Sequence, residues 1–364
     1  MSPLRRSRLD GTAIILTHGQ LSTLYGKTAH GLLRGTDRYK ILGVVDGHHA
    51  GRDAGEVMDG RPRGVPVFAT LGEALTVLDD PPDYCVLGCA TCGGRLPPDL
   101  RALILEAIEA GMSMVNGLHQ TLESDPEIAA AARRKGVRLI DVRKPPAYND
   151  LHFWTGEILK VRTPRIAVLG TDCGLGKRTT ARMLVAAANR AGIRSEMIWT
   201  GQTGWMQGSR FGFMLDAIPN DFVSGEMEHA LLSCIREVDP DLIVMEGQST
   251  LRNPSGPCGS EYILSGGARG VILQHAPGRK YFEALEELHF PIYPIESEVE
   301  LLRAFGARTL AVTLNGQNLS PEELIDAQKR LADQLRLPVV RPLEEGVDSL
   351  LPVVRAYMAE ERAR

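Results

Sequence analysis

The sequence contains no long run of apolar residues. The stretch Ala13–Leu16 is much shorter than the roughly 7–15 residues of a signal-peptide core, although Arg5, Arg6 and Arg8 precede it as charged residues precede such a core. No segment approaches the roughly 18 apolar residues that are needed to cross a bilayer. These absences predict a cytoplasmic protein with no membrane partner, in which Ala13–Leu16 belongs to the first β-strand.

An excess of basic residues is absent as well. Lys and Arg number 41 against 45 Asp and Glu, which gives a formal net charge of -4. Nucleic acids select for a basic surface, so we expect no nucleic-acid partner. A length of 364 residues with 43% hydrophobic residues is typical of a globular chain of two domains. We expect a small-molecule substrate, and a homo-oligomer because enzymes of this size commonly form symmetric assemblies.

Cysteine is sparse, with six residues in the chain, which excludes a disulfide scaffold. Cys85, Cys89 and Cys92 have the C-x3-C-x2-C spacing that holds an iron–sulfur cluster in some radical enzymes. A cluster needs its three thiolates on one loop, whereas Cys85 lies in a stretch that is typical of a buried strand. We therefore favour small core or turn residues over a cluster.

Strand and helix patterns alternate along the chain, and this alternation predicts an α/β fold with mainly parallel sheets and helices on both faces. This alternation of strands and helices is interrupted between Arg143 and Pro164, where two consecutive prolines and three aromatic residues occur. We therefore predict two domains, residues 1–145 and residues 146–364.

Three local predictions within this pattern concern single elements. Ser124 is predicted to cap a helix, with Glu127 at the capping-box position. In the second half, Lys280–Leu288 is predicted to be a helix and Tyr293–Ile295 a strand.

The segment Gly170–Thr180 follows an apolar strand and opens a long helix, which is the order of elements around a P-loop. A glycine-rich turn supplies close backbone N–H groups to a phosphate, a helix N-terminus supplies partial positive charge, and a lysine supplies a full charge. The residues predicted to bind the phosphates of a nucleotide or nucleotide-containing cofactor are Gly170, Thr171, Asp172, Gly174, Gly176, Lys177, Arg178, Thr179 and Thr180.

This loop departs from the common pattern in two ways. Five residues separate Gly170 from Gly176 where four are usual, and Arg178 stands where a Ser or Thr normally binds magnesium. Either Thr179 supplies the metal-binding hydroxyl, or the metal is dispensable.

Two further residues are candidates for chemistry at the ends of strands. Glu246 ends an apolar stretch, where such folds place a group that holds magnesium through water or acts as a base. A carboxylate without a chemical role is the alternative. His275 follows Val271–Gln274, and a catalytic role and a structural role are equally favoured for it.

The first half carries a weak dinucleotide pattern. Gly19, Gly26 and Asp46 place an acid about 20 residues after the last glycine, but the spacing between the glycines differs from G-x-G-x-x-G. Lys27 either touches a phosphate or is a solvated residue at the start of a helix. We regard NAD binding as the less favoured reading.

The loop Gly170–Lys177 resembles that of dethiobiotin synthetase, which has the same five-residue spacing. Nearly the whole chain resembles a bacterial and archaeal family, once defined only as a domain of unknown function, that joins a Rossmann-like N-terminal domain to a dethiobiotin-synthetase-like P-loop domain. The shared segments are Gly26–Ala29, Gly93–Pro97, Gly117–His119, Gly170–Thr180, Thr200–Gly204, Asp221-Phe222, Glu246–Gln248 and Gln274-His275.

Members of that family are assigned as D-glutamate N-acetyltransferases that use acetyl-coenzyme A. The resemblance implies the same reaction here. From the chemistry of that reaction, we expect Glu246 or His275 to act as the base and cationic side chains to bind the substrate carboxylates. An ATP- and magnesium-dependent ligase and a non-catalytic nucleotide-binding protein remain as alternatives. The cationic candidates are Arg178, Arg210, Arg252 and Arg279.

Overall fold

The computed structural model describes residues 10–363, so Arg5, Arg6 and Arg8 lie outside the described residues. The chain forms two compact units. The first unit contains the chain up to Pro145 together with the later segment Gln202–Ser209. The second unit contains Pro146–Gly201 and the chain from Arg210 onward. No helix among the described residues is long and apolar enough to cross a membrane.

The first unit is built on a parallel sheet with the strand order β3-β2-β1-β4-β5-β6 within the described residues. The strands are β1 (Gly11–Leu16), β2 (Tyr39–Val45), β3 (Val67–Phe68), β4 (Tyr84–Leu87), β5 (Ser113–Asn116) and β6 (Leu139–Asp141). The helices between them are α1 (Lys27–Leu33), α2 (Ala54–Asp59), α3 (Leu71–Val77), α4 (Pro98–Glu109) and α5 (Pro126–Lys135).

Strand β1 is buried on both faces, as the pattern of a parallel sheet predicts. Ile14 and Leu16 pack in one hydrophobic cluster, and Ala13 and Ile15 pack in another. Because successive side chains of a strand point to opposite faces, the two clusters lie on opposite faces of the sheet. The predicted α/β architecture with a Rossmann-like first unit is confirmed.

One local prediction in this unit is wrong. The cap of α5 is Asp125, not Ser124, and its carboxylate accepts from the amides of Glu127 and Ile128. Ser124 instead donates its hydroxyl proton to the carbonyl of Thr121. Aspartate satisfies two amides at the start of α5, so the helix begins one residue later than a serine cap would place it.

The second unit is built on a parallel sheet with the strand order β13-β12-β11-β7-β10-β8-β9 within the described residues. The strands are β7 (Arg165–Gly170), β8 (Ser195–Trp199), β9 (Phe211–Gly212), β10 (Leu242–Glu246), β11 (Gly270–His275), β12 (Arg308–Leu314) and β13 (Val339–Val340). The helices from residue 177 onward are α6 (Lys177–Arg190), α7 (Gln202–Met206, in the first unit), α8 (Asn220–Val238), α9 (Ser260–Leu264), α10 (Ile295–Ala304), α11 (Pro321–Leu335), α12 (Pro342–Glu345) and α13 (Leu351–Ala363).

Two predictions between β11 and β12 are wrong. Residues 280–288 form turns and no helix, because Ala284 (φ 66°) and His289 (φ 52°) have left-handed backbones that a right-handed helix cannot contain. The predicted strand at 293–295 does not form: Tyr293 and Pro294 have no regular secondary structure, and Ile295 begins α10 with Pro294 as its N-cap residue.

The segment Gln202–Ser209 completes the core of the first unit. Met206 is fully buried in the cluster that contains Ala13 and Ile15. The Gln207 side-chain amide donates to the carbonyls of Gly31 and Gly35, at 2.7 and 2.8 Å. The chain therefore leaves the second unit after β8 and returns to it before β9.

Candidate functional site at the phosphate loop

The loop Gly170–Gly176 joins the middle strand of the second sheet to the start of α6. Strand β7 is buried along its whole length, and α6 is 14 residues long. Gly174 (φ 65°) and Gly176 (φ 100°) have left-handed backbones, which glycine adopts without strain. The geometry is therefore that of a strand, a tight glycine turn and a helix N-terminus, as an anion site requires.

Lys177 lies at the first position of α6 and is 7% exposed. Its Nζ donates to the carbonyl oxygen of Asp172 at 2.6 Å. Burial lowers the pKa of Lys177, and the nearby Cys173 and Asp172 oppose that effect. The ammonium is thus held inside the loop, where a phosphate oxygen can replace the carbonyl as its acceptor.

Asp172 is fully buried, and its carboxylate is used within the protein. One oxygen accepts from the amide of Cys173 at 2.7 Å. The other accepts from Arg279 Nη1 at 2.6 Å and from the amide of Glu283 at 2.8 Å. We therefore assign the Asp172 carboxylate to the shape of the loop and not to direct contact with a ligand.

The side chains of Thr171 and Thr180 also have partners within the second unit. Thr171 Oγ1 lies 2.9 Å from Nδ1 of His275. The Thr180 hydroxyl donates to Oε1 of Gln274 at 2.6 Å, and Thr313 donates to the same oxygen at 2.7 Å. These bonds tie the loop and the first turn of α6 to β11 and β12.

His275 is brought to the loop by β11, which pairs with β7. Burial lowers the pKa of its imidazole to about 4, with a smaller contribution from the positive charge of Arg330. The ring is therefore neutral at physiological pH and only weakly basic.

Glu246 ends β10, the other neighbour of β7, and is 5% exposed. Burial raises the pKa of its carboxyl to about 7, although Arg178, the amides of Thr200 and Gly201, and Lys177 all act to lower it. The Thr200 amide donates to Oε2 of Glu246 at 3.2 Å. A carboxyl that titrates near neutral pH can take up and release protons under working conditions.

The predicted magnesium ligands are Thr179 and Glu246. Thr179 is half-buried in the first turn of α6, next to Arg178. A hydroxyl and a carboxylate are the hard oxygen ligands that Mg²⁺ prefers, and the ion usually keeps several of its waters. The donor chemistry of the two residues therefore fits water-mediated binding of magnesium at the phosphates.

Three of the four arginines proposed for a dicarboxylate substrate form ion pairs within the second unit. Arg279 pairs with Asp172, Arg252 with Glu298 at 2.7 Å, and Arg210 with Glu237 at 2.6 Å. Arg178 also has an interaction with other residues of the protein. None of the four is therefore singled out as the partner of a substrate carboxylate.

In the first unit, Asp46 is saturated by hydrogen bonds from its own neighbours. Its carboxylate accepts from the Thr17 hydroxyl at 2.6 Å, from the amides of Leu21 and His48 at 3.0 and 3.1 Å, and from His49 Nδ1 at 3.0 Å. A dinucleotide ribose would need the same oxygens. Lys27 is exposed.

The cysteine triplet is not gathered on one loop. Cys85 lies within β4, and both Cys85 and Cys89 are buried in a hydrophobic cluster of the first unit. Among residues 10–363, no group of three or more His, Cys, Asp or Glu is arranged to hold a metal ion.

Several contacts of the phosphate loop could not be found from the sequence. Cys173 Sγ lies 3.5 Å from Oγ of Ser249 and 3.8 Å from Nδ2 of Asn253, and Asn315 Nδ2 donates to the carbonyl of Leu175 at 3.0 Å. Ser249 has a left-handed backbone (φ 39°), which is uncommon for a residue other than glycine. No spacing in the sequence marks these residues, because they come from loops after three different strands.

A Rossmann-like unit and a unit with a phosphate loop before a long helix define a two-domain P-loop protein of the α/β class. The chain belongs to the DUF1611 family. Residues 152–351 match a domain of unknown function described as the DUF1611_C P-loop domain, and residues 47–145 match one described as the DUF1611_N Rossmann-like domain.

Two curated relatives carry the name D-glutamate N-acetyltransferase. The protein from Pseudoalteromonas sp is 32% identical over 73% of this chain and 79% of its own length. The protein from Tritonibacter scottomollicae is 30% identical over 74% of this chain and 80% of its own length. A solved structure of a DUF1611 family protein from Anabaena variabilis, 29% identical, superposes with a TM-score of 0.86 over 95% of this chain and 99% of that one.

Proposed function

We propose that this protein transfers the acetyl group of acetyl-coenzyme A to the amino group of D-glutamate. The observation that carries the proposal is a buried lysine in a phosphate loop, in a chain about 30% identical to two proteins with that name. Coenzyme A contains a pyrophosphate and a further phosphate on its ribose, so a P-loop suits it as well as it suits ATP.

The phosphate end of the cofactor is assigned to the loop and the first turn of α6. In this proposal the amides near Gly174 and Gly176, the ammonium of Lys177 and the field of α6 bind the pyrophosphate. Thr171, Asp172 and Thr180 hold the surrounding backbone in place through their bonds to His275, Arg279 and Gln274. Thr179 is the residue assigned to a magnesium ion, if one accompanies the phosphates.

The acetyl transfer itself requires a neutral amine, because an ammonium group has no lone pair with which to attack the thioester. We propose Glu246 as the base that removes this proton, since a pKa of about 7 suits a base at neutral pH better than the pKa of about 4 of His275. The amine nitrogen then bonds to the acetyl carbon, the carbon–sulfur bond breaks, and the coenzyme A thiolate takes up the second proton, which the nitrogen loses as it becomes an amide.

The test is release of the coenzyme A thiol when the purified protein is mixed with acetyl-coenzyme A and D-glutamate. We expect release that depends on D-glutamate, and the L enantiomer is the matched control for the substrate. The Glu246→Gln variant should lose about 10²- to 10⁴-fold in kcat, the usual contribution of a positioned base. Acetylation that survives in both Glu246→Gln and His275→Ala would show that neither residue is the base.

A second candidate function is an ATP-dependent ligase that activates a carboxylate as an acyl phosphate. It is favoured by the position of Glu246, whose carboxyl is buried within the electrostatic reach of Lys177 and Arg178, as a group that binds magnesium at a phosphate would be. Phosphate release from ATP and magnesium that a carboxylate substrate stimulates, with no thiol release from acetyl-coenzyme A, would support the ligase. Nucleotide binding without either reaction would indicate a non-catalytic role.

A further inference from the structure

The side chain of Arg279 contacts the phosphate loop. Its hydrogen-bond acceptors belong to the protein, so no charged group of a ligand is needed to account for its position. The residue lies in the turn-rich segment after β11, and its side chain is 6% exposed. Its Nη1 donates to the carboxylate of Asp172 at 2.6 Å and to the carbonyl of Cys173 at 2.7 Å. Its Nη2 donates to Oε1 of Gln317 in the loop after β12. One guanidinium thus joins two loops to the phosphate loop.

The same aspartate connects Arg279 to the phosphate-binding lysine. The Asp172 carboxylate accepts from Arg279, and the Asp172 carbonyl accepts from Lys177 Nζ at 2.6 Å. Because both groups belong to one residue that is fully buried, the position of the guanidinium fixes the peptide that the ammonium contacts. Cys173, the next residue, is held on both sides, since its amide donates to Asp172 and its carbonyl accepts from Arg279.

We infer that Arg279 is a positioning residue for phosphate binding, which acts through Asp172 to hold the loop amides and Lys177 in the arrangement that receives the phosphates of the cofactor. The inference rests on the proposed function for the identity of that cofactor, but not for the presence of a phosphate site. It assigns Arg279 to the loop, and so removes it from the residues that would bind the carboxylates of the substrate.

The chemistry of the side chain makes the inference specific. A planar guanidinium offers five N–H donors in a fixed fork, and here it serves a carboxylate, a carbonyl and an amide oxygen at once. A lysine at the same position would keep the charge but would offer one nitrogen for three acceptors that lie in different directions. We therefore expect Arg279→Lys to disturb the loop while it preserves the electrostatic balance with Asp172.

The decisive experiment compares two acetyl donors that differ only in their phosphates. S-acetylpantetheine carries the same thioester as acetyl-coenzyme A but has no phosphate for the loop to bind. For Arg279→Lys we expect kcat/KM with acetyl-coenzyme A to fall about 10- to 100-fold, as for the loss of hydrogen bonds to a charged group, and kcat/KM with S-acetylpantetheine to change less than about twofold. An equal fall with both donors, or no fall with either, overturns the inference.

A matched variant separates positioning from general loss of stability. Arg165 is as buried as Arg279, at 9% exposure for each whole residue, but its guanidinium donates to the carbonyls of Gly267, Val161 and Thr163 at the opposite end of β7. Arg165→Gln should lower the thermal midpoint without a change in the preference between the two donors. If Arg165→Gln changes that preference as Arg279→Lys does, the effect is not specific to the loop and the inference fails.

Binding of inorganic pyrophosphate, measured by calorimetry, keeps the inference testable if no acetyl transfer is found. A wild-type protein that binds pyrophosphate but transfers no acetyl group would contradict the proposed function alone. In that case a weaker affinity in Arg279→Lys and in Asp172→Asn, at unchanged circular dichroism, supports the inference, and wild-type affinity in both variants overturns it.

Discussion

The two units offer a comparison between two turns that look alike in sequence. Each follows a buried strand inside a parallel sheet, and each leads through glycine and lysine into a helix, as Gly26-Lys27 before α1 and Gly176-Lys177 before α6. Lys27 is exposed and begins a helix of seven residues, whereas Lys177 is buried and begins one of 14.

The difference between the turns lies in what surrounds the lysine and the backbone amides. In the first unit, the carboxylate of Asp46 accepts from the amide of Leu21 and so occupies part of the turn with a negative charge. In the second unit, Arg279 Nη1 lies 2.6 Å from the carboxylate of Asp172 in the loop and 3.5 Å from the carboxylate of Glu283, which lies beside Gly174, so a guanidinium balances part of the negative charge at this turn. A glycine and a lysine therefore indicate a phosphate site only when the rest of the turn leaves the amides and the positive charge available.

The largest expected effect on ligand binding comes from removing each lysine in turn. Lys177→Ala should weaken the binding of coenzyme A or of ADP by about 100-fold, in line with the loss of a charge-assisted hydrogen bond in a buried site. Lys27→Ala is the matched variant, and its affinity should equal that of the wild type. Equilibrium binding by calorimetry measures both, and equal losses in the two variants would break the comparison.

The next effect concerns how the free energy of unfolding depends on pH. Two carboxyl groups at the ends of strands, those of Glu246 and Asp46, should change it in opposite directions. The folded pKa of Glu246, about 7, is above its ordinary value of 4.5, so its contribution is present below pH 4.5 and is lost as the pH rises toward 7. The loss should be roughly 3 kcal/mol in the free energy of unfolding. Urea unfolding at pH 4.5 and pH 8 should show this fall in the wild type, and Glu246→Gln should reduce it.

Asp46 should behave in the opposite way. Burial alone would raise the pKa of Asp46, but hydrogen bonds from Thr17, His49 and Leu21 outweigh burial and lower it. Its contribution is therefore present above its ordinary pKa and is lost as the pH falls below that value. Asp46→Asn should lower the stability at neutral pH and flatten its dependence at acidic pH. If Asp46→Asn leaves the free energy of unfolding at neutral pH unchanged, the hydrogen bonds to Asp46 do not stabilise the first unit and the prediction is wrong.

The smallest effect is expected from a methyl group in the phosphate loop. Gly176 has a φ of 100°, and a Cβ built there meets no heavy atom within 4 Å. Gly176→Ala should therefore cost only the strain of a left-handed backbone, about 1–2 kcal/mol in unfolding free energy. Thermal denaturation checks the value, and Gly192→Ala, at the end of α6 with a φ of 80° and similar open space, is the control away from the loop.

The sequence could predict the β-α alternation, most strand positions and the phosphate loop, because these depend on local patterns of apolar residues and glycine. It failed where long-range contacts decide the structure. The segment after β11 has a helical composition, but left-handed residues at 284 and 289 fold it into turns, and Arg279, which comes just before them, contacts Asp172 more than 100 residues earlier in the chain. The sequence alone therefore does not predict the contact of Arg279 with Asp172, and it leaves Arg279 as a candidate for binding a substrate carboxylate.

The candidate site was only partly predictable for the same reason. Glu246 ends β10, His275 ends β11, and Lys177 begins the helix that follows β7. Because β7 lies between β10 and β11 in the sheet, the ends of these three strands are neighbours. The burial that raises the pKa of Glu246 and lowers that of His275 comes from residues distant in the sequence. A pattern of residue types gives the identity of such groups but not their proton affinity.

The contribution of residues 202–209 to the first unit has a consequence for synthesis of the chain. A ribosome makes the protein from its N-terminus, and domains generally fold as units during this process. Met206 fills the same cluster as Ala13 and Ile15, so that cluster remains incomplete until the ribosome has passed well beyond β8. While the opening strands of the second unit are being translated, the nascent first unit therefore still lacks the apolar side chain of Met206 in its core.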